Sequence, residues 1–307
     1  MTTHWIETFL EAIQAEQDAS ENTVMAYARD LQEFEAFLKK TRQDFKSATR
    51  SDVENYIVSL ETRGMASSTR ARRLSSVRQL FRFAFEEGWR NDDPSSQIKG
   101  PRKIKHLPDT LSEDQVDRML DAALKTGRSK SDRLRNTCLM QLLYATGMRV
   151  SELVSLPVAA MRGNPEMLFI KGKGGKERMV PLSPSAKMAT AAYLADLDQM
   201  QELERKKGKP ASRFLFPSNG KLGHLTRIRF YTLVKEIAGN AGVDPNTVTP
   251  HTLRHAFATH LLAGGADLRV IQMLLGHADV VTTEIYTHVL DEKLKSLVLD
   301  HHPLAND

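Results

Sequence analysis

The chain has one cysteine, two tryptophans and no apolar run approaching the ~20 residues that a membrane-spanning helix needs. Its single thiol, Cys138, can form no internal disulfide, and its setting in CLMQLLYA reads as that of a small buried hydrophobe. The opening MTTHWIETFL lacks the basic and apolar regions of a secretory leader, so the expectation is a cytoplasmic protein with no membrane partner. There is no internal repeat or low-complexity tract. Near the motifs described below there are no clustered carboxylates of the kind that hold catalytic divalent cations.

At 307 residues the chain is long enough for about two domains, taking roughly 100 to 200 residues for each. A 41% hydrophobic content supports packed cores. Net charge is +5 and the pI about 9.2, which suits a polyanionic partner but is common among ordinary proteins. The positions of the arginines carry more information.

The first 90 residues read as four amphipathic helices. Trp5, Phe9 and Ile13, beside Ile6 and Leu10, form one stripe. Val24, Tyr27, Leu31, Phe34 and Leu38 form a second, after a cap at Ser20. Ser51 and Glu54 have capping-box spacing and open a third helix with Val53, Ile57 and Leu60. The fourth runs from Ser67 or Ser68 to about Glu87, with Leu74, Val77, Phe81, Ala84 and Phe85 on its core arc. Arg72, Ser75, Arg78, Gln79 and Arg82 fall on the opposite arc. This acid-free face suits phosphates and base edges, and is equally that of an ordinary solvated helix.

From Gly88 the periodicity stops, and residues 91–108 read as an interdomain linker whose Lys99, Arg102, Lys103 and Lys105 suit a DNA backbone or plain solvent. The second domain, 109–307, opens with a capping box at Ser112 and Gln115. A mostly apolar helix then ends at Gly147, a residue suited to a left-handed cap. MLFIK and ERMVPL flank GKGG as a short hairpin, and helices are expected near 184–206 and 225–240. The fold class is therefore mainly α with a small β-sheet.

Chemistry-bearing side chains concentrate in this second domain. Arg149 follows the helix stop, with Glu152 one turn on and able to hold its guanidinium; alone, such a step is usually a surface ion pair. His251, Arg254 and His255 share one helical turn. Their histidines have zinc-helix spacing, but Thr252 stands where that motif requires glutamate, and Arg254 opposes a metal. Histidines beside an arginine suit a phosphate better, as donors or proton-transfer groups. Lys173 sits in a glycine-rich turn without the GxxxxGK[ST] pattern of a nucleotide loop, and Lys171 and Lys176 compete for its role. His277 follows Gly276, and Tyr286 lies nine residues further on. By itself either residue reads as ordinary packing or capping; as a nucleophile, Tyr286 needs a base or a cationic pocket.

Together ATGMRVSEL (145–153), KGKGGKER (171–178), HTLRHAFATHLL (251–262) and LLGHADVVTTEIYTHV (274–289) resemble the tyrosine recombinase family, and nearly the whole chain is similar to its bacterial Xer branch. The resemblance implies an N-terminal four-helix DNA-binding domain and a C-terminal catalytic domain that together clamp a duplex. It also implies Tyr286 as nucleophile of a 3′-phosphotyrosine intermediate, Arg149 and Arg254 as the transition-state clamp, and Lys173 as general acid, with His251 and His277 completing the pocket. Neither metal nor ATP is implied. The partners implied are a dif-like duplex, a paralogous XerC-type recombinase in a heterotetramer, and an FtsK-type translocase, acting in chromosome-dimer resolution. Leu290, Leu294, Leu297 and Val298 then form an end helix that packs on its own domain or, by family precedent, on a neighbour. A mobile-element integrase of the same chemistry and a non-catalytic DNA-binding accessory protein are the alternatives.

Overall fold

A computed structural model describes residues 3–16, 21–101, 110–172, 177–276 and 302–303. The chain divides into two compact units, Met1–His106 and Leu107–Asp307. Among the described residues no helix is long and apolar enough to cross a membrane.

The first unit contains α1 (Thr3–Glu16), α2 (Glu21–Lys40), α3 (Arg50–Thr62) and α4 (Ser67–Glu86). Ile6, Phe9 and Ile13 of α1 meet Leu31, Phe34 and Leu38 of α2, and Val53, Tyr56 and Leu60 of α3, in one core. Helix α4 adds Leu74, Val77, Leu80 and Phe81 to it. Phe85 is an exception to the expected core arc. It is 51% exposed, because Phe81 and Ala84 already fill the buried side at that end of the helix.

Two further expectations shift here. The capping box of α3 is built by Thr49 and Asp52, two residues before the Ser51–Glu54 pair, and Glu54 instead pairs with Arg50 at 2.8 Å. Both pairs have the same spacing; Thr49, with its extended backbone, is the one positioned to cap. The stretch read as the start of a linker is built into this unit: Ile98 is 5% exposed within the core, and its carbonyl accepts from Arg78. The cap expected at Ser20 lies outside the described residues.

In the second unit, α5 (Glu113–Lys125) begins with the expected Ser112–Gln115 capping box. Helix α6 (Lys130–Thr146) forms the centre, packing against α5, α8 (Pro184–Lys206) and α10 (Pro250–Ala263). Its last turns, Cys138 among them, are almost wholly buried. It stops at Gly147 with φ 56°, a left-handed conformation disfavoured for residues with a Cβ. A Cβ there would also lie 2.3 Å from the Phe257 ring on α10, so glycine is needed for close approach as well as for conformation.

After Gly147 come α7 (Val150–Val154) and the antiparallel hairpin of β1 (Met167–Lys171) and β2 (Glu177–Pro181), in register Ile170 with Arg178. A short 3-10 helix (Val158–Met161) between α7 and β1, with helices α9 (Arg227–Asn240) and α11 (Leu268–Leu275), completes the described elements. Thr252, which occupies the position of the zinc-motif glutamate, closes the capping box of α10 with Thr249.

Candidate active site

The C-terminal end of α11 is where the charged residues gather. Its last carbonyls have no partner within the helix and carry the negative end of the helix dipole. Three successive ones each accept from a different arginine. Arg178 Nε donates to Leu274 O at 2.8 Å, Arg254 Nη2 to Leu275 O at 2.6 Å, and Arg149 Nη2 to Gly276 O at 3.2 Å. These arginines come from β2, α10 and the cap of α7, elements far apart in sequence.

Glu152 on α7 joins two of them. Its Oε1 accepts from Arg149 Nη1 at 3.0 Å and Arg178 Nη1 at 3.1 Å. Its Oε2 accepts from the Arg149 backbone N–H and Arg178 Nη2, both at 2.7 Å. The carboxylate side chain is only 7% exposed, so four hydrogen bonds replace its lost water. Burial alone pushes the Glu152 pKa up. The bonds from Arg178 and Arg149 outweigh that and hold it below its ordinary value.

Arg254 is 9% exposed and also donates to the Gly147 carbonyl at the end of α6. Burial first, then the neighbouring charges of Arg149 and Arg178, pull its pKa down to about 10, with Glu152 opposing. A cation lowered in this way lies in a pocket with too little negative charge, the condition that favours binding an anion. Arg149 is the more accessible of the pair, with its side chain 40% exposed. His251 is exposed on the first turn of α10, and His255 is half-buried one residue beyond Arg254.

Lys173, His277 and Tyr286 lie outside the described residues, as do Arg102, Lys103, Lys105 and the stripe Leu290, Leu294, Leu297 and Val298. His277 is nevertheless bonded through its peptide to Gly276, whose carbonyl Arg149 holds. The sequence reading missed Arg178. Strand alternation was the available signal, since Val180 is buried and Arg178, two residues earlier, shares its face opposite buried Ile170. A cation on the inward face of a strand calls for a partner.

The helix face proposed for DNA is more heavily paired than its own sequence suggests. Arg72 is held by the buried Asp30 of α2, which also accepts from Ser76 at 2.9 Å. Arg82 pairs with Glu86 at 2.9 Å, and Arg78 is committed to Ile98 O. Ser75 is exposed and Gln79 half-buried. The face is therefore not free of acids: Asp30 arrives from another helix, and Glu86 from the next turn of the same one.

Known proteins share this arrangement of sequence. The phage integrase family matches residues 109–293, and its N-terminal SAM-like domain matches residues 6–88. The tyrosine recombinase XerD of Bradyrhizobium diazoefficiens is 48% identical, over 97% of this chain and 95% of that protein. The tyrosine recombinase XerD of Caulobacter vibrioides is 46% identical, over 98% and 97% respectively. Among solved structures, the XerH site-specific recombinase bound to palindromic difH substrate, a post-cleavage complex, aligns with TM-score 0.70 and 26% identity, over 95% of this chain and 82% of that one. With sequence and fold agreeing over nearly the whole length, the chain belongs to the phage integrase family and is a site-specific tyrosine recombinase.

Proposed function

We propose that the chain resolves chromosome dimers at a dif-like site, in the cytoplasm, as the XerD-type member of a heterotetramer with a paralogous XerC-type recombinase and under an FtsK-type translocase. The near full-length relatives named XerD support this reading over a mobile-element integrase. In this scheme Arg149 and Arg254 hold the non-bridging oxygens of the scissile phosphate by charge-assisted bonds. The Tyr286 hydroxyl attacks phosphorus as its proton passes to a histidine of the pocket, the 5′ oxygen leaves with a proton from Lys173, and the 3′-phosphotyrosine conserves the ester for rejoining. His251 and His277 donate to the phosphate or move protons. Glu152 orients Arg149, and His255 supports the same turn of α10. Arg72, Ser75, Arg78, Gln79 and Arg82 contact the duplex from α4, the three arginines through the N–H groups that Asp30, the Ile98 carbonyl and Glu86 leave over.

The observation that carries the proposal is the positively unbalanced cluster of buried Arg254 and partly exposed Arg149 at the end of α11, one peptide from His277. The test is a nicked suicide duplex of dif-like sequence incubated with the partner recombinase. The protein is expected to form a covalent DNA adduct that Tyr286→Phe abolishes. An adduct that persists in Tyr286→Phe, or none from the wild type in an assembled complex, refutes the assignment.

A further inference from the structure

We infer that Arg178 is a positioning residue for strand cleavage: it neutralises Glu152 so that Arg149 keeps its charge for the scissile phosphate, and it fixes the α11 end from which His277 follows. This role rests on the chemistry proposed above for Arg149. Three observations lead to it. Arg178 grips both oxygens of Glu152 in a two-point fork, whereas the Arg149 side chain reaches only Oε1. Arg178 is also nearly buried, its side chain 9% exposed against 40% for Arg149, so its bond to the carboxylate is poorly screened. Its Nε spans from the hairpin to the Leu274 carbonyl, and a Cβ on Gly276 would come within 3.2 Å of its Cδ.

The charge balance gives these contacts their consequence. Among these four groups, three guanidiniums face one carboxylate. While Arg178 holds Glu152, the surplus resides on Arg149 and Arg254. Without Arg178 the buried carboxylate turns its full charge on Arg149, its one remaining partner among them, and competes directly with a phosphate. Arg178 need not touch DNA for this effect.

The test compares covalent-adduct rates on two nicked suicide duplexes, one with the native scissile phosphate and one with a neutral methylphosphonate there. Arg178→Gln is expected to slow cleavage of the phosphate about 10–100-fold, up to the scale on which a mutation away from the chemistry misplaces a reacting group. The deficit should shrink on the methylphosphonate, which carries no negative charge for Arg149 to hold. Because both substrates sample the same folded fraction, the ratio of rates separates positioning from instability. Arg178→Lys, which keeps the charge without the fork, should retain more activity than Arg178→Gln. The double variant Glu152→Gln with Arg178→Gln should recover part of the loss, since the unopposed carboxylate is gone. Equal deficits on both substrates, or a double variant no faster than Arg178→Gln, overturn the role of Arg178 and leave the wild-type chemistry standing. A wild type that forms no adduct refutes that chemistry, and this role with it.

Discussion

Arg254 spans two helix ends at once, donating to Gly147 O at the end of α6 and to Leu275 O at the end of α11. Only a planar fork with several N–H groups can do this and still present donors to a phosphate. Lysine carries its three donors on one nitrogen. Arg254→Lys is therefore expected to reduce adduct formation on the suicide duplex by about 10²–10³-fold, the scale for loss of a transition-state donor. Duplex affinity, measured by gel shift, should stay close to wild type. Near-wild-type cleavage by the lysine variant would show that charge alone suffices. Glu152 was legible at this scale because it lies three residues from Arg149. Arg178 was not, because nothing local to the strand shows that its inward face ends on a carboxylate of α7.

At the scale of elements, the stop of α6 at Gly147 sets where Arg149 begins its own helix. The left-handed conformation is one reason for glycine and the Phe257 ring is a second. The two can be separated experimentally. Gly64 also has positive φ, 72°, but nothing lies within 4 Å of a Cβ placed there. Gly64→Ala should cost about 1–2 kcal/mol from backbone strain alone. Gly147→Ala adds overpacking against Phe257, about 1–3 kcal/mol more. Denaturant unfolding of the two variants gives the comparison, and equal losses would mean that the α6–α10 contact yields freely. The capping boxes show how far local sequence reaches. Ser112 with Gln115 caps α5 although Thr110 with Glu113 has the same spacing two residues earlier, just as Thr49 with Asp52 and Ser51 with Glu54 overlap by two residues at α3. Periodicity alone does not choose between overlapping boxes; the extended backbone at Thr49 does.

At the scale of the molecule, the 302–303 segment returns to the heart of the second unit. The His302 ring lies 4.8 Å from the Tyr144 ring and 5.5 Å from the Phe257 ring, and its Nε2 is 3.2 Å from the Tyr144 carbonyl. Burial, aided by nearby His260 and opposed by the bond to Tyr144, lowers the His302 pKa from 6.5 to about 4. Between those values the unfolded chain binds a proton that the folded chain refuses. Stability is thus full above about pH 6.5 and declines as pH falls toward 4, by up to about 3 kcal/mol. Thermal unfolding of the wild type and of His302→Gln from pH 7.5 to 4 tests this, since the other histidines cancel in the comparison. The wild type should lose more of its Tm than the variant; parallel curves would rule out a buried, neutral His302.

The sequence by itself determined the helical periodicities, the glycine stop at 147, the hairpin, the family motifs and the i, i+3 pairing of Arg149 with Glu152. All of these are written within a few residues of one another. Tertiary structure decided which groups share a partner. Arg149 meets Gly276 across 127 residues, Arg254 meets Gly147 across 107, and Arg178 meets Leu274 across 96. The same holds for Asp30 beneath Arg72 and for the exposure of Phe85. A local pattern says which face of an element turns inward, but what that face meets is fixed only when the elements pack. The convergence of three arginines on the carbonyls of α11 arises at that step.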